Sequence, residues 1–201
     1  MKVLTLNPQA LKTHSLKLLQ AVQDDSFKAD ILIGIATGGV YISRPIHESL
    51  KAQAWQGSYH EITLQRASTK TKKALYLKKV FKYLPYSILN ILRILENNLS
   101  EKLKNKTYQG HREKEVVLNE VLKEEISKAK TLLLIDDAID SGTTLVSVKN
   151  VIQNLNPMLD IRTAVLTVTH KKPYIEADYT LYRNTLLRCP WAEDYKGNKN
   201  A

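Results

Sequence analysis

Three carboxylates and a run of hydroxyl-bearing residues share one short stretch of the chain. Asp136 and Asp137 are adjacent, Asp140 follows three positions on, and Ser141, Gly142, Thr143 and Thr144 come directly after it. Neighbouring carboxylates accept hydrogen bonds from a vicinal diol. A turn of small residues that opens a helix presents backbone N–H groups and hydroxyls to an anion, which makes it a cradle for phosphate. Together the two halves suit a ribose phosphate, held by its hydroxyls at one end and its 5′-phosphate at the other. Asp140 adds a carboxylate that can take a proton, or that can cap the following helix through its exposed N–H groups. A second small-residue turn, Thr37-Gly38-Gly39, lets the backbone come close to an anion because glycine has no side chain in the way. As an ordinary strand-to-helix turn it needs no ligand.

Regular elements must bring these turns together. Leu132 to Ile135 is four consecutive hydrophobes without alternation, the pattern of a parallel strand buried on both faces, and the paired carboxylates stand at its carboxyl end. ILIGIA, residues 31–36, repeats that pattern and ends in the glycine turn. A helix is predicted from about Val40 to Lys51 and an alternating strand from Tyr59 to Leu64. Strand, glycine-rich loop, helix and strand make the crossover unit of a parallel α/β sheet. An amphipathic helix over residues 8–24 with Leu11, Leu16, Leu18, Leu19 and Val22 on its apolar side precedes this unit. A helix after Gly142, a strand from Arg162 to Thr169 and an irregular tail from His170 complete the pattern.

The 201 residues fit one domain large enough to bury a core without disulfides or metals. Cys189 is the single cysteine, which fits a reducing compartment. The first twenty residues break their apolar positions with polar ones, unlike a signal peptide. No run reaches the roughly 18 apolar residues of a membrane span, so a cytoplasmic protein is expected. The net charge is +10, and residues 65–114 carry all of the excess, with thirteen Lys or Arg against three Glu. That surplus reads as a solvated helical face, a phosphate-meeting lid or a nucleic-acid surface. Within it Leu84, Ile88, Ile91, Leu92, Leu95 and Leu99 recur at spacings of three and four, with Pro85 suited to a first turn. Such a stripe must be covered by the chain's own core, by a second copy, or by a membrane surface or partner protein.

Residues 132–145, LLLIDDAIDSGTTL, resemble the signature of the type I phosphoribosyltransferases: hydrophobic strand, Asp or Glu, Asp, two variable positions, Asp, Thr or Ala, then Thr or Ser, Gly, any residue, Thr. The pattern is closest to the bacterial 6-oxopurine (xanthine-guanine/hypoxanthine) enzymes. The resemblance implies an α/β fold with a parallel-sheet core, helices on both faces, a small hood built from the C- and N-terminal ends, and here a helical insertion. The chain is then a single phosphoribosyltransferase-like domain over 1–201, with a basic helical insertion at about 66–118 and a hood at about 170–195.

By the same resemblance the chain transfers ribose 5-phosphate from phosphoribosyl pyrophosphate (PRPP) to a nucleobase with Mg2+ as cofactor. Asp136 and Asp137 then hold the ribose diol and the metal, directly or through water, and Ser141, Gly142, Thr143 and Thr144 bind the 5′-phosphate. Thr37, Gly38 and Gly39 form the pyrophosphate loop, which in relatives often contains a cis peptide, and Thr37 stands where they commonly carry Arg or Lys. Asp140 at its position marks the 6-oxopurine enzymes, where it serves as general base or hydrogen-bond partner toward N7. In the tail Lys172, followed by Pro173, best matches the lysine that meets the purine 6-oxygen, with Lys171 the near alternative. Leu186 falls where relatives place an aromatic over the base and Leu187 where a backbone group contacts it, although both, with Trp191, also read as core. Arg66, Ser68, Lys70, Lys72 and Lys73 are candidates for a loop that closes over pyrophosphate. The expected partners are PRPP and a nucleobase, with a homodimer or higher homo-oligomer. The rival readings are transfer to another base or base-like acceptor, and a PRPP-sensing regulator that binds nucleic acid or a protein through the insertion.

Overall fold

The structure, a computed structural model, describes residues 1–64, 84–106 and 116–197. Its centre is β2, Ile31–Ile35, beside β4, Thr131–Ile139. All five β2 residues are buried, and both strands have a parallel neighbour on each side, as unbroken hydrophobic runs require. β3 (Ser58–Ile62), β5 (Asp160–Val168) and β6 (Tyr179–Arg183) extend them into a parallel sheet of order β3-β2-β4-β5-β6 among the described residues. The register pairs Ile33 with Leu134 and Leu134 with Thr163.

Alternation along the strands feeds two cores. Ile31, Ile33, Leu132 and Leu134 pack with Leu122 and Ile126 of α4 (Glu120–Lys128) and with Val148 and Ile152 of α5 (Thr143–Leu155). Leu32, Leu133 and Ile135 face the other way, onto Leu18 and Leu19 of α1 (Pro8–Asp24) and Ile42 and Ile46 of α2 (Gly38–Ala52). Helix starts are chemically marked: the side-chain oxygen of Asn7 accepts from the Ala10 N–H at 2.7 Å ahead of Pro8, and that of Asn119 from the Leu122 N–H at 2.8 Å.

The chain proceeds outward from β2 to β3 on one side and from β4 to β6 on the other. The strand order therefore reverses between β2 and β4, where a parallel sheet opens a crevice at its carboxyl edge. The glycine turn leaves β2 and the carboxylate turn leaves β4 at that edge.

One departure from the sequence-based expectation stands out, and one choice it left open is narrowed. The stretch after His170 is not irregular throughout: β6 joins the main sheet, and β7 (Thr185–Arg188) pairs in parallel with β1 (Lys2–Thr5), matching Val3 to Leu186 and Leu4 to Leu187. The two chain ends are thus stitched into a separate two-stranded sheet. The apolar stripe of α3 (Tyr86–Lys106) is also largely uncovered, with Ile91 59% and Leu95 52% exposed. The helix instead buries Leu89, off that stripe, and turns Arg93 one helical turn on to the same side. Pro85 lies just before the helix, its carbonyl accepting from the N–H groups of Ile88 and Leu89. Arg66, Ser68, Lys70, Lys72 and Lys73 lie outside the described residues.

Candidate active site

At the crevice a cavity of about 450 Å³ is lined by Asp136, Asp137, Asp140, Ser141, Gly142, Thr143 and Thr144, with Gly38 and Trp191. β4 carries the first two carboxylates directly after the buried run Leu132 to Ile135 and ends at the buried Ile139, so Asp136 is only 8% exposed while Asp140, just beyond the strand, is exposed. The Asp136 carboxylate accepts from the Asp137 N–H at 2.8 Å, which fixes the pair at the strand end. Gly142 then takes φ +86°, a left-handed conformation natural to glycine, and opens α5; its carbonyl accepts from the Val146 N–H at 3.0 Å. The Ser141 and Thr143 hydroxyls lie 3.1 Å apart in this turn. The Ser141 carbonyl accepts from the Tyr174 N–H at 2.8 Å, tying the turn to the segment after β5.

The glycine turn packs against the carboxylates. A side chain on Gly38 would fall 2.2 Å from the Asp137 carboxyl carbon, and one on Gly39 would fall 2.3 Å from the Ile135 carbonyl oxygen. Only paired glycines let the N-terminus of α2 come this close to the end of β4. The Ala36–Thr37 peptide is cis. Thr37 is exposed and makes no side-chain cap. Two helix N-termini, those of α2 and α5, thus converge on one cavity that also holds three carboxylates.

Of the residues placed by resemblance in the hood, only Trp191 lines this cavity. Lys171 and Lys172 are exposed and do not line this cavity; the Lys172 N–H donates to Nδ1 of the buried His170 at 3.0 Å. Leu186 and Leu187 are half-buried in β7 and also stand outside the cavity lining. Trp191 lines it, stacked on Tyr41 with ring centroids 4.6 Å apart and planes 12° from parallel. For Trp191 the sequence leaves hood and core both open; its place after Cys189-Pro190, where proline ends the strand pattern, is the signal that favours a turn. Burial, reinforced by Asp137 and opposed by Arg93, pushes the Cys189 thiol up to about 12. It is therefore a protonated packing group at neutral pH.

The sequence model of the family described as phosphoribosyl transferase domain matches residues 4–193. No curated protein matches the chain. Among solved structures the fold is similar to a purine phosphoribosyltransferase from Pyrococcus horikoshii OT3, with TM-score 0.55 and 14% identity over 95% of this chain and 94% of that one. It is similar to a Helicobacter pylori xanthine-guanine-hypoxanthine phosphoribosyltransferase, with TM-score 0.52 and 15% identity over 94% and 92%. It is similar as well to a hypothetical protein from Neisseria gonorrhoeae solved with bound ppGpp, with TM-score 0.55 and 15% identity over 94% and 89%. At such identities these likenesses are of fold.

Proposed function

The chain belongs to the phosphoribosyl transferase family, and from that membership we propose that it transfers the 5-phosphoribosyl group of PRPP to a ring nitrogen of a 6-oxopurine, releasing pyrophosphate. One observation carries this reading: three carboxylates and the N-termini of α2 and α5 meet in a single cavity.

The reaction passes through a sugar that resembles an oxocarbenium ion while a pyrophosphate anion departs. Fixed charges of both signs must therefore be in place beforehand. Asp136 and Asp137 hold the ribose diol and face the cationic sugar. The N–H groups and hydroxyls of Ser141, Gly142, Thr143 and Thr144 hold the 5′-phosphate at the positive end of α5. The pyrophosphate lies against Thr37, Gly38 and Gly39 at the positive end of α2, with a neutral threonine at the first position in place of a cation. Asp140, exposed at the cavity, takes the proton that the base nitrogen loses. Lys172 or Lys171 meets the 6-oxygen and Leu186 and Leu187 border the base from the hood, on the part of the base that projects beyond the carboxylate cavity they do not line.

A magnesium ion fits this donor set. Among the described residues no three His, Cys, Asp or Glu side chains are placed to hold a metal ion together, and Mg2+ commonly takes only one or two protein carboxylates and fills its shell with water and substrate oxygens. Asp136 and Asp137 are the residues that would hold it. When bound it neutralises charge on the pyrophosphate.

The test incubates guanine, xanthine, hypoxanthine, adenine and uracil separately with Mg2+ and PRPP and follows pyrophosphate release. Release is expected with at least one 6-oxopurine. Asp140→Asn is expected to lower kcat by about 10²-fold or more, the usual scale of a lost general base, with PRPP affinity retained. Failure of every base, or unchanged turnover in Asp140→Asn, overturns the reading.

A further inference from the structure

Helix α3 comes from the part of the chain that the motif does not explain, yet one of its side chains reaches the hood. The Arg93 guanidinium donates through Nη1 to the Leu187 carbonyl at 2.6 Å, and its Nη2 lies 3.0 Å from a carboxylate oxygen of Asp194. One planar fork therefore ties both ends of the segment 187–194. Trp191, within that segment, lines the cavity beside Asp136 and Asp137. Cys189, two residues before it, lies within electrostatic reach of both Asp137 and Arg93, so the span from helix to cavity is short.

We propose that Arg93 is a positioning residue for the acceptor end of the cavity, holding the segment 187–194 so that Trp191 lies over the bound base. This rests on the reaction proposed above for the word "base" alone; the placement of Trp191 is independent of it. Arg93 acts through the segment and does not line the cavity. It is also not the sole anchor of Asp194, whose other oxygen accepts from Nε of the buried Arg188 at 2.8 Å. Arg188 also donates to the Thr5 hydroxyl at 3.0 Å, so the β1–β7 pair keeps its own tie without Arg93. Loss of Arg93 removes one of the two side-chain ties on Asp194 and the one on the Leu187 carbonyl. This loosens the 187–194 turn, which the Arg188–Asp194 pair and the Trp191–Tyr41 stack restrain only in part, while leaving the hood strands attached. A lysine reaches one acceptor but cannot fork onto both.

The experiment uses the full chain carrying Trp55→Phe, which leaves Trp191 as the sole tryptophan. Acrylamide quenching of Trp191 is compared for this parent, Arg93→Ala, Arg93→Lys and Leu95→Gln, the last on the exposed face of the same helix. Quenching is expected to rise in Arg93→Ala, to rise less in Arg93→Lys and to stay at the parent value in Leu95→Gln. In turnover assays Arg93→Ala is expected to raise KM for the base about tenfold, a scale set by ångström-level misplacement, with KM for PRPP unchanged. Parental quenching in a folded Arg93→Ala, or parallel rises in both KM values, overturns the proposal. If Arg93→Ala does not fold, Arg93→Lys is scored by the same criteria. If the parent turns over no base the proposed reaction fails, and quenching alone decides whether Arg93 positions Trp191.

Discussion

Gly39 has no room for a side chain. The atom a substitution would add falls 2.3 Å from the Ile135 carbonyl oxygen and 2.9 Å from the Asp136 Cα, both backbone atoms of the central strand that cannot rotate away. Gly39→Ala must push α2 from β4, and is expected to destabilise the fold by about 1–3 kcal/mol, the usual cost of overpacking. Urea unfolding followed by circular dichroism checks this, and a parental midpoint would show that the turn yields freely. The same contact explains why this residue type recurs beside an anion site: what admits a phosphate to the backbone also admits the helix to the strand. At Gly38 the neighbour is the Asp137 carboxylate itself, so the two halves of the candidate site are in contact before any ligand arrives.

Helix α3 shows how an element is held by a few buried charges while its apolar face stays open. Asp194 accepts from Arg188 and pairs with Arg93, both its carboxylate oxygens being engaged. Arg188 is 0% exposed and lies 4.5 Å from the centre of the Tyr86 ring, whose face meets the guanidinium on the α3 side. Removing one partner of a buried pair strands the other charge, so Arg188→Ala is expected to cost about 3–5 kcal/mol. Arg93 is about a quarter exposed and shares Asp194 with Arg188, so its loss costs less than that of Arg188. Chemical denaturation of the two variants checks the order, and a larger loss for Arg93→Ala would contradict it. Periodicity identified this helix from the spacing of Ile88, Ile91, Leu92, Leu95 and Leu99, but the side it buries is marked by Leu89 and Arg93. Hydrophobic spacing reports that a helix forms; it does not report which face finds a partner when an arginine fork can also dock it.

Over the whole molecule, the ionisable groups define a stability plateau. Burial raises the Cys189 thiol from its ordinary 9.0 to about 12, and burial likewise raises Tyr59 and Tyr179 from 10.0 to about 12. An acid with a raised folded pKa binds its proton more tightly in the native state, so stability is full below the unfolded value and falls as pH climbs through the folded one. Glu61 is held low chiefly by its hydrogen bond from Arg44, and Glu125 chiefly by that from Ser58. These carboxylates contribute above their ordinary 4.5, and their share is lost as pH falls through their depressed folded values. Burial also holds the His14 and His47 imidazoles below their ordinary 6.5, so stability falls as pH drops through that value, where the unfolded chain takes up protons first. Unfolding free energy is expected to be flat between about pH 7 and pH 9 and to decline on both sides; a urea midpoint that rises from pH 9 to pH 11 would refute the alkaline limb. What the amino-acid order determined by itself is the local part: the β2 and β4 runs, the glycine turn, and the carboxylate and hydroxyl series that lies contiguous along 136–144. These were legible because burial on two faces and an anion cradle each leave a pattern within a few residues. Tertiary packing alone decided that β1 pairs with β7 across most of the chain, that Arg93 reaches a carbonyl 94 positions away, and that Trp191 lines the cavity while Leu186, Leu187 and both tail lysines do not. Such contacts are selected by which surfaces meet once the sheet has formed, and residues far apart along the chain carry no shared spacing to announce them.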